Sequence, residues 1–147
     1  MNKSVIMMLG LGVVAAILVG GCRTAGRGPS DEELIGTTMA DWKAALTAKD
    51  LDKVMVVYSE NYVSRRRSDS NEVGKDGVRQ FMKSAFERGW MDGSKINLEE
   101  AETTIEGDKA TFGPVKFTSD RGTFAISYTL QKEDGAWLIA GSKRPEQ

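Results

Sequence analysis

The sequence predicts an α+β domain in which three helices come first and a four-stranded antiparallel meander follows. Two observations carry this. Up to about residue 90 the apolar residues recur in steps of three and four, and from Lys95 onward the step changes to two. In addition, Gly107-Asp108, Asp120-Arg121-Gly122 and Asp134-Gly135 divide the second half into four runs, 95–106, 109–119, 123–133 and 136–143. Asp-Gly between alternating runs is a strong hairpin signal.

The first helix opens at Ser30-Asp31-Glu32-Glu33, a capping box in which the Ser30 hydroxyl and the Glu33 carboxylate satisfy backbone N–H groups in both directions. Leu34, Ile35, Thr38, Met39, Trp42, Ala45 and Leu46 form its apolar stripe, which carries the helix to about Lys49. Asp50 is expected to cap a short second helix from Leu51 to Tyr58. Tyr62 to Arg67 reads as a short strand and Ser68–Asn71 as a loop. Asp76 is expected to cap the third helix. Its stripe is Val78, Phe81, Met82, Ala85 and Phe86, and Gly89 is its stop.

Turn positions set the expected faces of the meander. Leu130 lies opposite Ile139, Tyr128 opposite Gly141, Ile105 opposite Ala110, and Thr103 opposite Phe112. One face then holds Val115, Phe117, Phe124, Ile126, Tyr128, Leu130, Trp137 and Ile139, enough to receive the helices. The other holds Ala101, Thr103, Ile105, Ala110, Phe112, Leu138 and Ala140, a milder apolar surface available to a second subunit. A one-residue bulge would exchange these assignments locally.

The N-terminus has a different logic. Lys3 precedes an uncharged, mostly apolar run from Ser4 to Val19, then Gly20-Gly21 and Cys22, the only cysteine. A basic tip, an apolar core and a small-residue exit are the parts of a secretory signal peptide, and the run is short of the ~20 residues a membrane-spanning helix needs. Val19-Gly20-Gly21-Cys22 resembles the bacterial lipobox. The resemblance implies cleavage before Cys22 and acylation of its sulfur, with residues 1–21 as signal peptide, 22–29 as membrane tether and 30–147 as the domain. Arg23 follows the cysteine where an Asp would signal inner-membrane retention, so the implied location is the cell envelope at the outer membrane, facing the periplasm. The stretch from Arg23 to Pro29 reaches at most about 25 Å when extended.

Composition narrows the chemistry. The chain has 147 residues, 20 Lys+Arg against 21 Asp+Glu, and no histidine. The balance speaks against nucleic acid as a partner. The missing histidine removes the commonest general base and any His-ligated metal. With Cys22 lipidated no thiolate nucleophile remains, and no phosphate-cradling glycine motif is present. No cofactor or metal is therefore expected.

The element order, the helix opening Gly74-Lys75-Asp76-Gly77-Val78-Arg79-Gln80-Phe81 and the final hairpin Asp134-Gly135-Ala136-Trp137-Leu138-Ile139 resemble the nuclear-transport-factor-2-like fold in its SnoaL-like branch, over residues 31–143. The resemblance implies a cone: three N-terminal helices packed on a curved, mainly antiparallel sheet, with a pocket between them and frequent dimers through the outer sheet face. It implies no particular reaction. Where the isomerase branch carries its base, this chain reads Arg65, Arg66 and Arg67.

The expected function is non-catalytic binding of a small apolar or anionic ligand in the cone of a membrane-anchored lipoprotein, which is itself a homodimer. The binding candidates are Trp42, Tyr58, Tyr62, Arg66, Phe124, Tyr128 and Trp137. The arginine run has three readings: a ligand clamp at the pocket mouth, a contact with anionic lipid, or a solvated edge strand. Two alternatives stand beside this function. One is a lyase or isomerase in which Glu100 or Glu102 acts as base beside Tyr128, conditional on strand register. The other is an envelope module that binds another protein.

Overall fold

The computed structural model describes residues 27–65 and 71–144. The signal segment, Cys22, Arg66 and Arg67 lie outside the described residues, as does the side chain of Arg65.

Helix α1 spans Asp31–Thr47. Its capping box is formed as expected: the Glu33 N–H donates to Ser30 Oγ at 3.2 Å and the Ser30 N–H donates to Glu33 Oε2 at 2.7 Å. Ile35, Met39, Trp42, Ala45 and Leu46 are its buried line. Helix α2, Leu51–Val56, starts at Asp50, whose Oδ1 accepts from the Lys53 N–H at 3.1 Å. It stops short of Tyr58 because the chain then pairs with the last strand. Ser59 N–H donates to Ile139 O at 2.9 Å and Ile139 N–H to Val57 O at 2.7 Å. Tyr58 is thereby fixed against the sheet rather than on a helix.

The strand expected over Tyr62–Arg67 is formed only as β1, Ser64–Arg65, which pairs with an unanticipated β2, Glu72–Val73. Helix α3, Lys75–Glu87, has Gly74 at its N-cap, so Asp76 sits inside the first turn rather than capping it. There its charge still faces the positive end of the helix. Val78 and Ala85 are buried, whereas Phe81 is 40 % exposed and meets Trp90 at 6.3 Å between ring centroids. The stripe read from the sequence is therefore wider than the face that packs.

The run expected over 95–106 is two strands. β3, Lys95–Asn97, and β4, Glu102–Glu106, both pair with β5, Lys109–Ser119, at its far and near halves. A turn separates them, with Ala101 N–H donating to Leu98 O at 3.0 Å and Glu99 N–H to Asn97 Oδ1 at 2.7 Å. β6, Gly122–Glu133, and β7, Ala136–Lys143, complete a five-stranded antiparallel sheet.

Two register shifts shape this sheet. Between β5 and β6, Phe112 pairs with Tyr128 and Val115 with Ile126, so Gly113 and Pro114 together face Ser127. This β-bulge re-aims the strand. Ala110, Phe112, Val115 and Phe117 consequently all turn to the helices and are buried. The expectation that Ala110 and Phe112 lie on an opposite apolar face is thus overturned. The cross-strand row Thr104, Thr111, Thr129 lies on the outer face instead. The expected homodimer rested on apolar surface there. The second shift, between Thr129 and Leu130, places Tyr128 opposite Ser142 rather than Gly141. The pairings Leu130–Ile139, Ile105–Ala110 and Thr103–Phe112 are as read from the turns.

Candidate functional site

Helix α1, the chain leaving α2, and strands β5 and β6 bring a file of aromatic rings into the cone. Trp42 lies at its centre. Its ring meets Tyr128 at 5.0 Å and Phe117 at 6.1 Å, both edge-on, and its Nε1–H donates to the Tyr58 hydroxyl at 3.3 Å. Tyr58 meets Tyr62 at 5.2 Å. The Tyr62 hydroxyl shares a 2.8 Å hydrogen bond with Ser142 Oγ, and Ser64 Oγ joins Ser142 Oγ at 3.0 Å. At the outer end Phe124, 42 % exposed, stacks on buried Phe117 at 5.0 Å, and the Arg144 guanidinium rests 5.1 Å from the Phe124 ring.

One polar group in this file is unmatched. Tyr128 is 4 % exposed, and its hydroxyl has no hydrogen-bond partner among the described residues. No described side-chain nitrogen or oxygen is both fully enclosed and unpaired. The Tyr128 oxygen therefore keeps a small accessible area, although its residue is almost wholly buried. Burial raises its pKa well above the usual 10.0, and the neighbouring phenols of Tyr58 and Tyr62 add to the effect. Burial raises Tyr58 likewise, against the opposing pull of the Trp42 hydrogen bond. Tyr128 and Tyr58 thus remain neutral phenols under physiological conditions.

The structure gathers Trp42, Tyr58, Tyr62, Tyr128 and Phe124 in or at the end of this file. Trp137 is elsewhere. Its Nε1–H donates to Asp31 Oδ1 at 3.0 Å, and Lys132 Nζ reaches the same oxygen at 2.8 Å, which ties the start of α1 to the last hairpin. Those two donors hold the Asp31 carboxyl below its ordinary range. Glu100 and Glu102 are not brought to Tyr128. Glu100 lies exposed in the turn between β3 and β4 and pairs with Lys116. Glu102 does pair with Gly113, but Gly113 belongs to the bulge and Glu102 is exposed. The carboxylate–tyrosine pair that an acid–base mechanism needs is absent among the described residues.

Sequence reasoning missed Ser142, Ser64, Phe117 and Arg144 as parts of the site. The available signal was Gly113-Pro114 inside a strand, a pair that marks a bulge. Among the described residues no group of His, Cys, Asp and Glu is placed to hold a metal, and no helix is long and apolar enough to cross a membrane.

A curved antiparallel sheet closed by three helices over an aromatic interior defines a cone-type domain of the ligand-binding or isomerase class. The SnoaL-like domain family matches residues 35–142, and the chain belongs to that family. None of the curated proteins matches the chain in sequence. Among solved structures, a nuclear-transport-factor-2-like protein of unknown function from Pseudomonas putida superposes with a TM-score of 0.61 at 15% identity, over 80% of this chain and 87% of that one. A similar protein with a cystatin-like fold from Novosphingobium aromaticivorans gives 0.60 at 21% identity, over 76% and 79%. A putative calcium/calmodulin-dependent protein kinase II association domain from Xanthomonas campestris gives 0.57 at 16%, over 78% and 86%. At these identities the likeness shows the fold alone.

Proposed function

We propose that this protein is a non-catalytic binding domain for a small, largely apolar ligand bearing one hydrogen-bond acceptor, held at the envelope membrane through acylated Cys22. The observation that carries the binding reading is the unpartnered Tyr128 hydroxyl inside the Trp42–Phe117–Tyr58 cluster. A neutral phenol is a donor in want of an acceptor, and a carbonyl or ether oxygen supplies one. The surrounding rings offer apolar contact to the ligand's carbon skeleton. The absence of a carboxylate beside Tyr128 among the described residues supports binding over proton abstraction. The anchor reading is supported by the signal-like run and the lipobox resemblance that ends at Cys22.

The test is native mass spectrometry of the full chain, paired with tryptophan emission during titration with cyclohexanone, a compact ketone. Saturable binding is expected, and Tyr128→Phe should weaken it about tenfold, the loss of one good hydrogen bond. No retained mass in the wild type together with no saturable response would end the binding proposal. For the anchor, Cys22→Ser is expected to abolish incorporation of a labelled fatty acid and release the protein from the membrane fraction.

A further inference from the structure

Helix α1 ends in a conformation that lysine rarely takes. Lys49 has φ 55, in the left-handed region that costs a non-glycine residue about 1 kcal/mol. It is held there by bonds from Lys49 N–H to Leu46 O at 3.1 Å and Asp50 N–H to Ala45 O at 3.0 Å. From this position its side chain crosses to Asp92 and forms an ion pair. Asp92 is delivered by the turn after α3, where Gly89 and Gly93 are also left-handed, at φ 68 and 70. A Cβ on Gly89 would sit 2.9 Å from Asp92 Oδ2, so that glycine makes room for the carboxylate.

Beneath the pair lies a cleft of about 420 Å³. Leu46, Met91 and Ile96 give it an apolar floor, and Ser94 adds a hydroxyl at the rim. None of the rings of the tyrosine file lines it, and of the molecule's described ion pairs only Lys49–Asp92 borders it.

We infer that this cleft is a second binding site, for a free α-amino acid with an aliphatic side chain. The two rim charges are opposite in sign and now touch each other, so they are spaced for a ligand whose own charges are adjacent. The ligand's carboxylate meets Lys49, its ammonium meets Asp92, and its side chain covers Leu46, Met91 and Ile96. Lys49 and Asp92 are 42% and 58% exposed. A pair so exposed contributes only about 0–1 kcal/mol, so exchanging it for two charge-assisted contacts costs little. A simple anion or cation leaves one rim charge unmatched, and a neutral apolar molecule uses neither. This site depends on neither Tyr128 nor the anchor.

Calorimetry of the full chain with L-leucine, leucinamide and N-acetylleucine tests the inference. Leucine is expected to bind saturably, with each blocked analogue weaker by about tenfold through loss of one charge contact. Asp92→Asn and Lys49→Gln should each weaken leucine about tenfold with an unchanged circular dichroism spectrum. Lys116→Gln, which removes a remote ion pair, should leave it unchanged. Absence of heat with leucine overturns the proposal. So does equal binding of the three compounds, or wild-type affinity in both folded rim variants.

Discussion

Replacing Gly113 by alanine isolates the feature on which the site depends most. Gly113 has φ 155, and a Cβ there would lie 2.7 Å from Ser127 Oγ, 2.8 Å from Ser127 Cα and 3.0 Å from Ser127 Cβ. Ordinary carbon contacts are about 3.5–4.0 Å, so β5 and β6 must separate by roughly 0.7 Å or more at the bulge. Overpacking of this kind costs about 1–3 kcal/mol. Holding a side chain at a backbone angle that favours glycine adds about 1 kcal/mol or more. Gly113→Ala is therefore expected to lose about 3 kcal/mol, equivalent to roughly 10–15 °C in Tm for a domain of this size. Urea unfolding followed by tryptophan emission and thermal unfolding followed by circular dichroism measure it. A loss below about 1 kcal/mol would refute the argument, because a close backbone contact cannot relax that cheaply. Adding Ser127→Gly removes the Oγ and Cβ contacts but leaves Cα in place, so only partial recovery is expected. Full recovery would show that the serine side chain, not the strand spacing, sets the cost.

Other consequences are equally direct. Lys49→Gly relieves the left-handed strain at the end of α1 and should stabilise the domain by about 1 kcal/mol in urea denaturation, while weakening leucine binding at the cleft about tenfold; an unchanged midpoint would show that Lys49 bears no strain. Tyr58 and Tyr128 have folded-state pKa values raised above 10.0, so the stability they protect is complete below pH 10 and lost as pH rises beyond it. In an alkaline titration their tyrosinate absorbance should appear only with unfolding, and early ionisation of Tyr58 and Tyr128 in folded protein would contradict their burial. Asp31 has its folded pKa held below 3.8, so its contribution is present above pH 3.8 and lost as pH falls through the lower value. Asp31→Asn should flatten the acid limb of the stability profile below pH 3.8, and an unaltered acid limb would remove the Lys132–Trp137 contact as its cause.

Local chemistry decides some elements of this fold, and long-range pairing decides the others. Ser30 and Glu33 lie three residues apart, and Asp134-Gly135 forms its hairpin locally, so both were legible. Trp42, Phe124 and Tyr128 reach one file because each sits on a face defined by short-range periodicity, whereas Tyr58 and Tyr62 join it through pairing of their segment with the last strand. What failed was parity across distance. Phe112 and Val115 differ by an odd step along β5, and alternation assigns them to opposite faces. Two residues opposite one at Gly113-Pro114 return both to the same side. That single insertion buries Ala110 and Phe112 and puts threonines outside. It also directs Gly113 toward Ser127 instead of Tyr128, which removes the carboxylate partner expected at the tyrosine. The same bulge that denies Tyr128 a base sets it beside Phe112 and Trp42, with only the neutral hydroxyls of Ser142, Tyr58 and Tyr62 as polar neighbours, and a neutral phenol in such a surround is better suited to holding a ligand's oxygen than to moving its protons.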